Sequence, residues 1–168
     1  MEFNEVIKKR TATRKFKDVL VNDDIINQIL EAGRLAPTAK NQQPQLIYVI
    51  KSKDGLAKID SASPCRYNAP VVLLICSDKN IAWHKDDYST YEMDASIVAT
   101  HLMLEATNLG VDSVWVEMMD KNIIKQAFNL SPSVEPICLL PIGYASDDYM
   151  GNPMHNKRKD LSETVKYL

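Results

Sequence analysis

Tyr91-Glu92-Met93-Asp94-Ala95-Ser96-Ile97-Val98-Ala99-Thr100-His101-Leu102-Met103-Leu104-Glu105-Ala106-Thr107-Asn108-Leu109 is the stretch on which the fold turns. It is long enough for five helical turns and carries no proline. Its apolar residues Met93, Ala95, Ile97, Val98, Ala99, Leu102, Met103, Leu104, Ala106 and Leu109 take up most of a helical circumference rather than one stripe. A helix that is apolar all round must be covered all round. A chain of 168 residues has few elements with which to do so, so a second copy of the chain is expected to cover part of it. Gly110 follows as a C-terminal stop.

Downstream, Ser113–Val116 reads as a strand and Lys121–Phe128 as a short helix capped by Asp120. Ile137–Ile142 reads as a further strand, which Pro141 should push towards an edge. Leu161–Leu168 reads as a last helix. Upstream, Val71–Cys76, entered through Pro70, and Leu46–Ile50 are continuous apolar runs of strand length, expected as central strands covered on both faces. A helix after Asn22 places Ile25, Ile26, Ile29, Leu30 and Leu35 on one face and stops before Pro37. A first short helix is expected from Asn4, as its cap, to about Lys9. Helices and strands interleave, which makes the class α+β or α/β around one sheet.

The totals fit one globular domain over residues 1–168, with 45% hydrophobic and 25% charged residues. A net charge of −2 and a pI near 5.9 give no basic face for nucleic acid. Cys65, Cys76 and Cys138 are odd in number and contain no CxxC, so free thiols in a reducing compartment are expected. The mixed, acidic start Met1-Glu2-Phe3-Asn4-Glu5 reads as neither a signal nor a transit peptide, and no apolar run reaches ~18 residues. A cytoplasmic protein without membrane contact is the expectation. Five glycines form no GxGxxG and no Walker A, so glycine-rich phosphate binding is excluded. His84 with Asp86 and Asp87 is a poor metal set, because adjacent aspartates do not easily face one ion; no metal is expected. His101 lies within the apolar helix and reads as a core or interface histidine.

Four constellations carry chemistry. Arg10-Thr11-Ala12-Thr13-Arg14-Lys15-Phe16 sets two guanidinium groups and hydroxyls where they could cradle an anion. Ala36-Pro37-Thr38-Ala39-Lys40-Asn41-Gln42-Gln43-Pro44 is a polar loop pinned by prolines, and its amides offer both donor and acceptor to a heteroaromatic edge. Trp115-Val116-Glu117-Met118-Met119-Asp120 runs from strand to helix, where backbone N–H groups are free to meet ligands. Asn156-Lys157-Arg158-Lys159 is a basic cluster near the C-terminus. Singly, each also reads as an ordinary surface or turn.

Their order is more specific than any one of them. Arg10-x-Ala12-x-Arg14-x-Phe16, Ala36-Pro37-Thr38-x-x-Asn41-x-Gln43-Pro44, Leu109-Gly110 before Ser113-x-Trp115, Pro141-Ile142-Gly143-Tyr144, and Arg158-Lys159-x-Leu161-x-Glu163-x-Val165 together resemble the nitroreductase family, from about Phe3 to Val165. The resemblance implies an α+β fold, with a central mixed, mainly antiparallel sheet flanked by helices, assembled as an intertwined homodimer with FMN at the subunit interface. It implies Arg10 and Arg158 as phosphate ligands, with Thr11 and Ala12 lining the cradle. Arg14 would meet the phosphate or the pyrimidine side of the flavin. Thr38, Asn41 and Gln43 would approach the ring or ribityl chain, partly from the other subunit. The backbone N–H groups of Glu117 and Met118 would meet flavin N5 and O4. The chain departs from the family in carrying Ala12 where Ser is usual and Met118 where a small residue is usual. A helical insertion of longer members is reduced to the stretch around Trp83–Tyr88.

The implied function is an oxidoreductase taking electrons from NADH or NADPH to a nitroaromatic, quinone or similar small acceptor. One ring face would serve donor and acceptor in turn, a ping-pong scheme, with no side chain as acid, base or nucleophile. Alternatives are a non-enzymatic flavin-binding or redox-sensing module, and a different flavin reaction on the same scaffold.

Overall fold

A computed structural model describes residues 1–168. Its centre is a sheet in the order β1-β2-β6-β5, formed by Gln45–Ile50 (β1), Val71–Asp78 (β2), Asp112–Ser113 (β5) and Val134–Gly143 (β6). The strand pairings are antiparallel, and a parallel contact enters through the isolated bridge Ala12↔Ser113. A separate small hairpin pairs His84–Lys85 (β3) with Tyr88–Ser89 (β4). This is the α+β class with a mainly antiparallel sheet that the resemblance implied.

Because side chains alternate along a strand, β2 feeds two cores. Val71, Leu73 and Ile75 pack into one, with Phe3–Lys9 (α1) resting outside it on Tyr91–Asn108 (α4), which lies over that face with Asp23–Arg34 (α2). Val72, Leu74 and Cys76 pack into the other, beneath Lys53–Ala62 (α3) and Lys121–Ala127 (α5). All three cysteines are free and buried.

Local signals start the helices as expected. The Asn22 side chain accepts from Asp24 N at 2.8 Å, and Asp120 accepts from Asn122 N and Ile123 N at 2.9 and 3.1 Å. α4 ends at Leu109, with Gly110 at φ +77°, where a side chain would be strained. α2 crosses α4 at Gly33: a Cβ there would lie 2.6 Å from Leu102 Cδ2. Glycine therefore sets the distance between the two helices.

Several expectations are corrected. β1 is an edge strand, not a central one, and its Leu46 and Val49 are exposed. β6 pairs with β2 along its length; its Pro141 end is interior, between β2 and the 112–116 segment, and it is the 134–138 half that has one neighbour only. Pro141 O accepts from Val114 N at 3.2 Å, so the backbone of Pro141 faces the short, irregular 112–116 segment. The missing proline N–H therefore removes no β2–β6 bond. Of the expected 113–116 strand only Ser113 joins the ladder, with Asp112 before it; Val116 makes a lone bridge to Leu139. The first helix begins at Phe3 after Glu2, without the expected Asn4 cap. The last helix, Leu161–Thr164 (α6), stops four residues short of Leu168. α3, capped by Ser52, was not foreseen. Within one chain α4 is covered on one flank only: Ala95, Val98, Ala99, Leu102 and Ala106 have no exposed surface, whereas Met93 is 54% exposed. No helix is long and apolar enough to cross a membrane.

Candidate functional site

Segments from both ends of the chain meet beside β5. Arg10 ends α1, its N–H held by Val6 O at 2.9 Å. Ala12 bridges Ser113, and Thr13 N donates to Ser113 O at 3.0 Å, which fixes the Arg10–Phe16 segment along the sheet. From the far end, the Tyr149 hydroxyl donates to Ala12 O at 2.6 Å, and the His155 ring meets Lys8 O at 2.9 Å. A cavity of about 610 Å³ lies between Lys9 and Thr11 on one side and Met150, Asn152 and His155 on the other. Arg158 is brought close enough for its charge to act on Arg10. Burial first, and the Arg158 charge second, hold the Arg10 guanidinium below its ordinary value. Neither arginine makes an ion pair within the chain. Two like charges held together without a carboxylate form a site that an anion would relieve. The Thr13 hydroxyl in the same segment is fully buried and without a partner.

Arg14 points to a neighbouring cluster. The Cys65 thiol, then burial, raise the Tyr67 hydroxyl above its ordinary value, while Arg14 pulls it the other way. Cys65 N donates to Ser63 Oγ at 3.2 Å, and Ser63 Oγ donates to Met118 O at 2.6 Å. The 63–67 segment thus ties Arg14 to the 117–118 turn. The Glu117 carboxylate accepts from Trp115 Nε1 at 2.9 Å, and Met119 N turns back to Glu117 O at 2.8 Å. The N–H groups of Glu117 and Met118 donate to no group of the chain. The Met118 side chain points to solvent.

The Thr38–Gln43 loop lies elsewhere, at the start of α4. Lys40, Asn41 and Gln43 all take positive φ, at 49°, 56° and 52°. Non-glycine residues held so cost of order 1–3 kcal/mol each, and such strain gathers at functional segments. The loop is held in several ways. Thr38 Oγ1 accepts from Gln43 N at 3.0 Å, Gln43 Nε2 donates to Asn41 O at 3.2 Å, and Ala39 N donates to Asp94 Oδ1 at 2.8 Å.

The chain therefore brings Arg10, Thr11, Ala12, Arg14, Glu117, Met118 and Arg158 to one region. No hydrogen bond joins Thr38, Asn41 or Gln43 to them. Sequence reasoning missed Ser63, Tyr67, Asp94 and Tyr149, which brace these segments. Only Asp94, an acid in the first turn of a largely apolar helix, carried a local signal.

Comparison with known proteins follows the same lines. The sequence model described as the nitroreductase family matches residues 7–66 and 61–144. A nitroreductase family protein from Clostridium difficile 630 superposes with a TM-score of 0.93 at 39% identity, over 99% of this chain and 98% of that one. Another from Clostridium novyi NT gives 0.81 at 28% identity, over 88% and 87%. The FMN reductase (NAD(P)H) of Bacillus subtilis is 30% identical over 98% of this chain and 62% of its own length.

Proposed function

The chain belongs to the nitroreductase family, and on that premise we propose that residues 1–168 form one FMN-binding domain of an NADH- or NADPH-dependent oxidoreductase. It acts as a cytoplasmic homodimer and reduces a nitroaromatic, quinone or similar small acceptor by a ping-pong scheme. The observation that carries this reading is that Arg158 acts by its charge on the half-buried Arg10 and that neither pairs with a carboxylate of the chain. The residues present fit the cofactor. Arg10 and Arg158 would hold its phosphate, beside Thr11 and Ala12, and Arg14 stands where it would face the phosphate or the pyrimidine side. The free N–H groups of Glu117 and Met118 would meet the reactive edge of the ring. Thr38, Asn41 and Gln43 would come from the partner copy, which accounts for their separation within one chain.

FMN, when bound, would supply the chemistry of hydride acceptance from the nicotinamide and electron delivery to the acceptor. The protein's share is to bind, orient and stabilise. Arg14 offers positive charge to a ring that gains negative charge. Ser63 and Trp115 fix the 117–118 turn, so its donors are aimed before the ligand arrives. Donor and acceptor use one opening, so the first leaves before the second enters.

Anaerobic titration tests this. NADH or NADPH alone should bleach the visible absorbance of the flavin-loaded protein, and a quinone or nitroaromatic should restore it. Initial-rate plots at several acceptor concentrations should be parallel. A flavin that neither nicotinamide reduces would replace the proposal with a binding or sensing module. A protein that stays colourless with added FMN would end both.

A further inference from the structure

Lys40 stands between Thr38 and Asn41, in the loop that the proposed function places at the flavin, yet that function gives it no task. Its ammonium lies 5.5 Å from the centroid of the Trp83 ring, and it makes no ion pair. Trp83 is packed edge-on against Tyr88, with ring centroids 6.2 Å apart and planes at 67°. Both side chains spring from backbone that is held in place. Ala39 N donates to Asp94 Oδ1 at 2.8 Å, while Thr90 Oγ1 donates to Asp94 Oδ2 at 2.8 Å and Thr90 N donates to Trp83 O at 2.9 Å. The buried Asp94 carboxylate thus ties the strained loop and the 83–90 hairpin into one unit, at the N-terminus of α4.

We propose that Lys40 and Trp83, with Tyr88 behind, form the acceptor-selecting wall of the site, and that the wall favours flat aromatic acceptors carrying a carboxylate or sulfonate. The ring of such a molecule stacks near Trp83 and its anion meets the Lys40 ammonium, whose position the loop has already fixed. This rests on the proposed function, because it needs the 38–43 loop to stand at the flavin.

The probes are 4-nitrobenzoate and its neutral counterpart 4-nitrobenzamide. Binding to the oxidised, flavin-loaded dimer is followed by quenching of tryptophan emission, and turnover is followed as kcat/KM for each. Wild type should bind the anion about tenfold more tightly, as expected for one charge-assisted contact. The gap should shrink with added salt. Lys40→Met should reduce it to about one, and Lys40→Arg should keep most of it. Equal binding of the two probes by wild type, or an undiminished gap in Lys40→Met, overturns the proposal. If that happens while NADH or NADPH still bleaches the flavin, only this inference fails. If no flavin is bound or reduced, the functional reading fails first and takes this one with it.

Discussion

At the scale of single residues, charge decides most. Burial and the Arg158 charge both disfavour the charged form of Arg10, and the proposed phosphate would offset both. Arg10→Ala and Arg158→Ala should each weaken FMN binding about tenfold or more, at roughly 1.5–3 kcal/mol per charged hydrogen bond. Riboflavin should bind poorly to wild type. Fluorescence titration checks this, and wild-type affinity in both variants would remove the phosphate assignment. Glu135 shows the opposite arrangement, one carboxylate among Lys79, Lys121 and Lys125. Burial alone would raise its carboxyl, but hydrogen bonds and charge from Lys125 and Lys79 outweigh burial and hold it below the ordinary value. A lowered folded value means that the stabilisation is present above the unfolded value of about 4.5 and is lost as pH falls through the folded one. Glu135→Gln should therefore cost roughly 1 kcal/mol near neutrality. Denaturation midpoints at pH 7 and pH 3 should show the gap closing in acid; a constant gap would assign it to packing instead. The arginines were legible in the sequence because motif order marked them. Ser63 and Tyr149 were not, because a hydroxyl's partner 55 or 137 residues away leaves no local trace.

Among the elements, the crossing of α2 and α4 is the tightest fit. Gly33→Ala would ordinarily gain about 0.5–1 kcal/mol of helix propensity. Here the new methyl meets Leu102 Cδ2 at 2.6 Å and Cγ at 3.0 Å, so a net loss of about 1–3 kcal/mol is expected. Leu102→Ala should cost about 2–5 kcal/mol through its cavity. The double variant should cost clearly less than the sum, since the methyl of one fills part of the space left by the other. Additive losses in thermal or denaturant unfolding would show that the helices simply move apart. The elements also show what sequence pattern can and cannot reveal. Asn22 and Asp120 announced their helices because a cap is a contact within a few residues. Leu46–Ile50 looked like a buried strand because an apolar run says nothing about how many neighbours the strand has. Pro141 looked like an edge marker because the direction its missing N–H faces is a property of the sheet. α3 escaped because its sequence is largely polar, with Ser52 as its one clear signal. The terminal helix was extended too far: Asp160 and Glu163 form a capping box at its start, but no packing follows it.

For the whole molecule, the uncovered flank of α4 is the main feature. We expect it to lie in an interface above ~2,000 Å², the scale of obligate dimers. Leu102 is the wrong probe, because it belongs to the chain's own core, and an aspartate there would unfold the protein. Met93, half exposed on a single copy, is the right one. Met93→Asp should give a folded monomer that has lost its flavin, since the 38–43 loop no longer reaches the other half of the site. Light scattering with an absorbance spectrum decides; a yellow dimer would place the interface elsewhere. The expectation of a partner came from a helix apolar round most of its circumference; the flank such a partner would have to cover is visible only in the structure. The meeting of distant segments at Arg10 has a consequence in time as well as in space. Lys8 waits for His155 across 147 residues, and Ala12 for Tyr149 across 137. During synthesis the first helix leaves the ribosome long before its counterpart exists. On the proposed phosphate assignment, tight binding of the cofactor therefore waits until translation has passed residue 158.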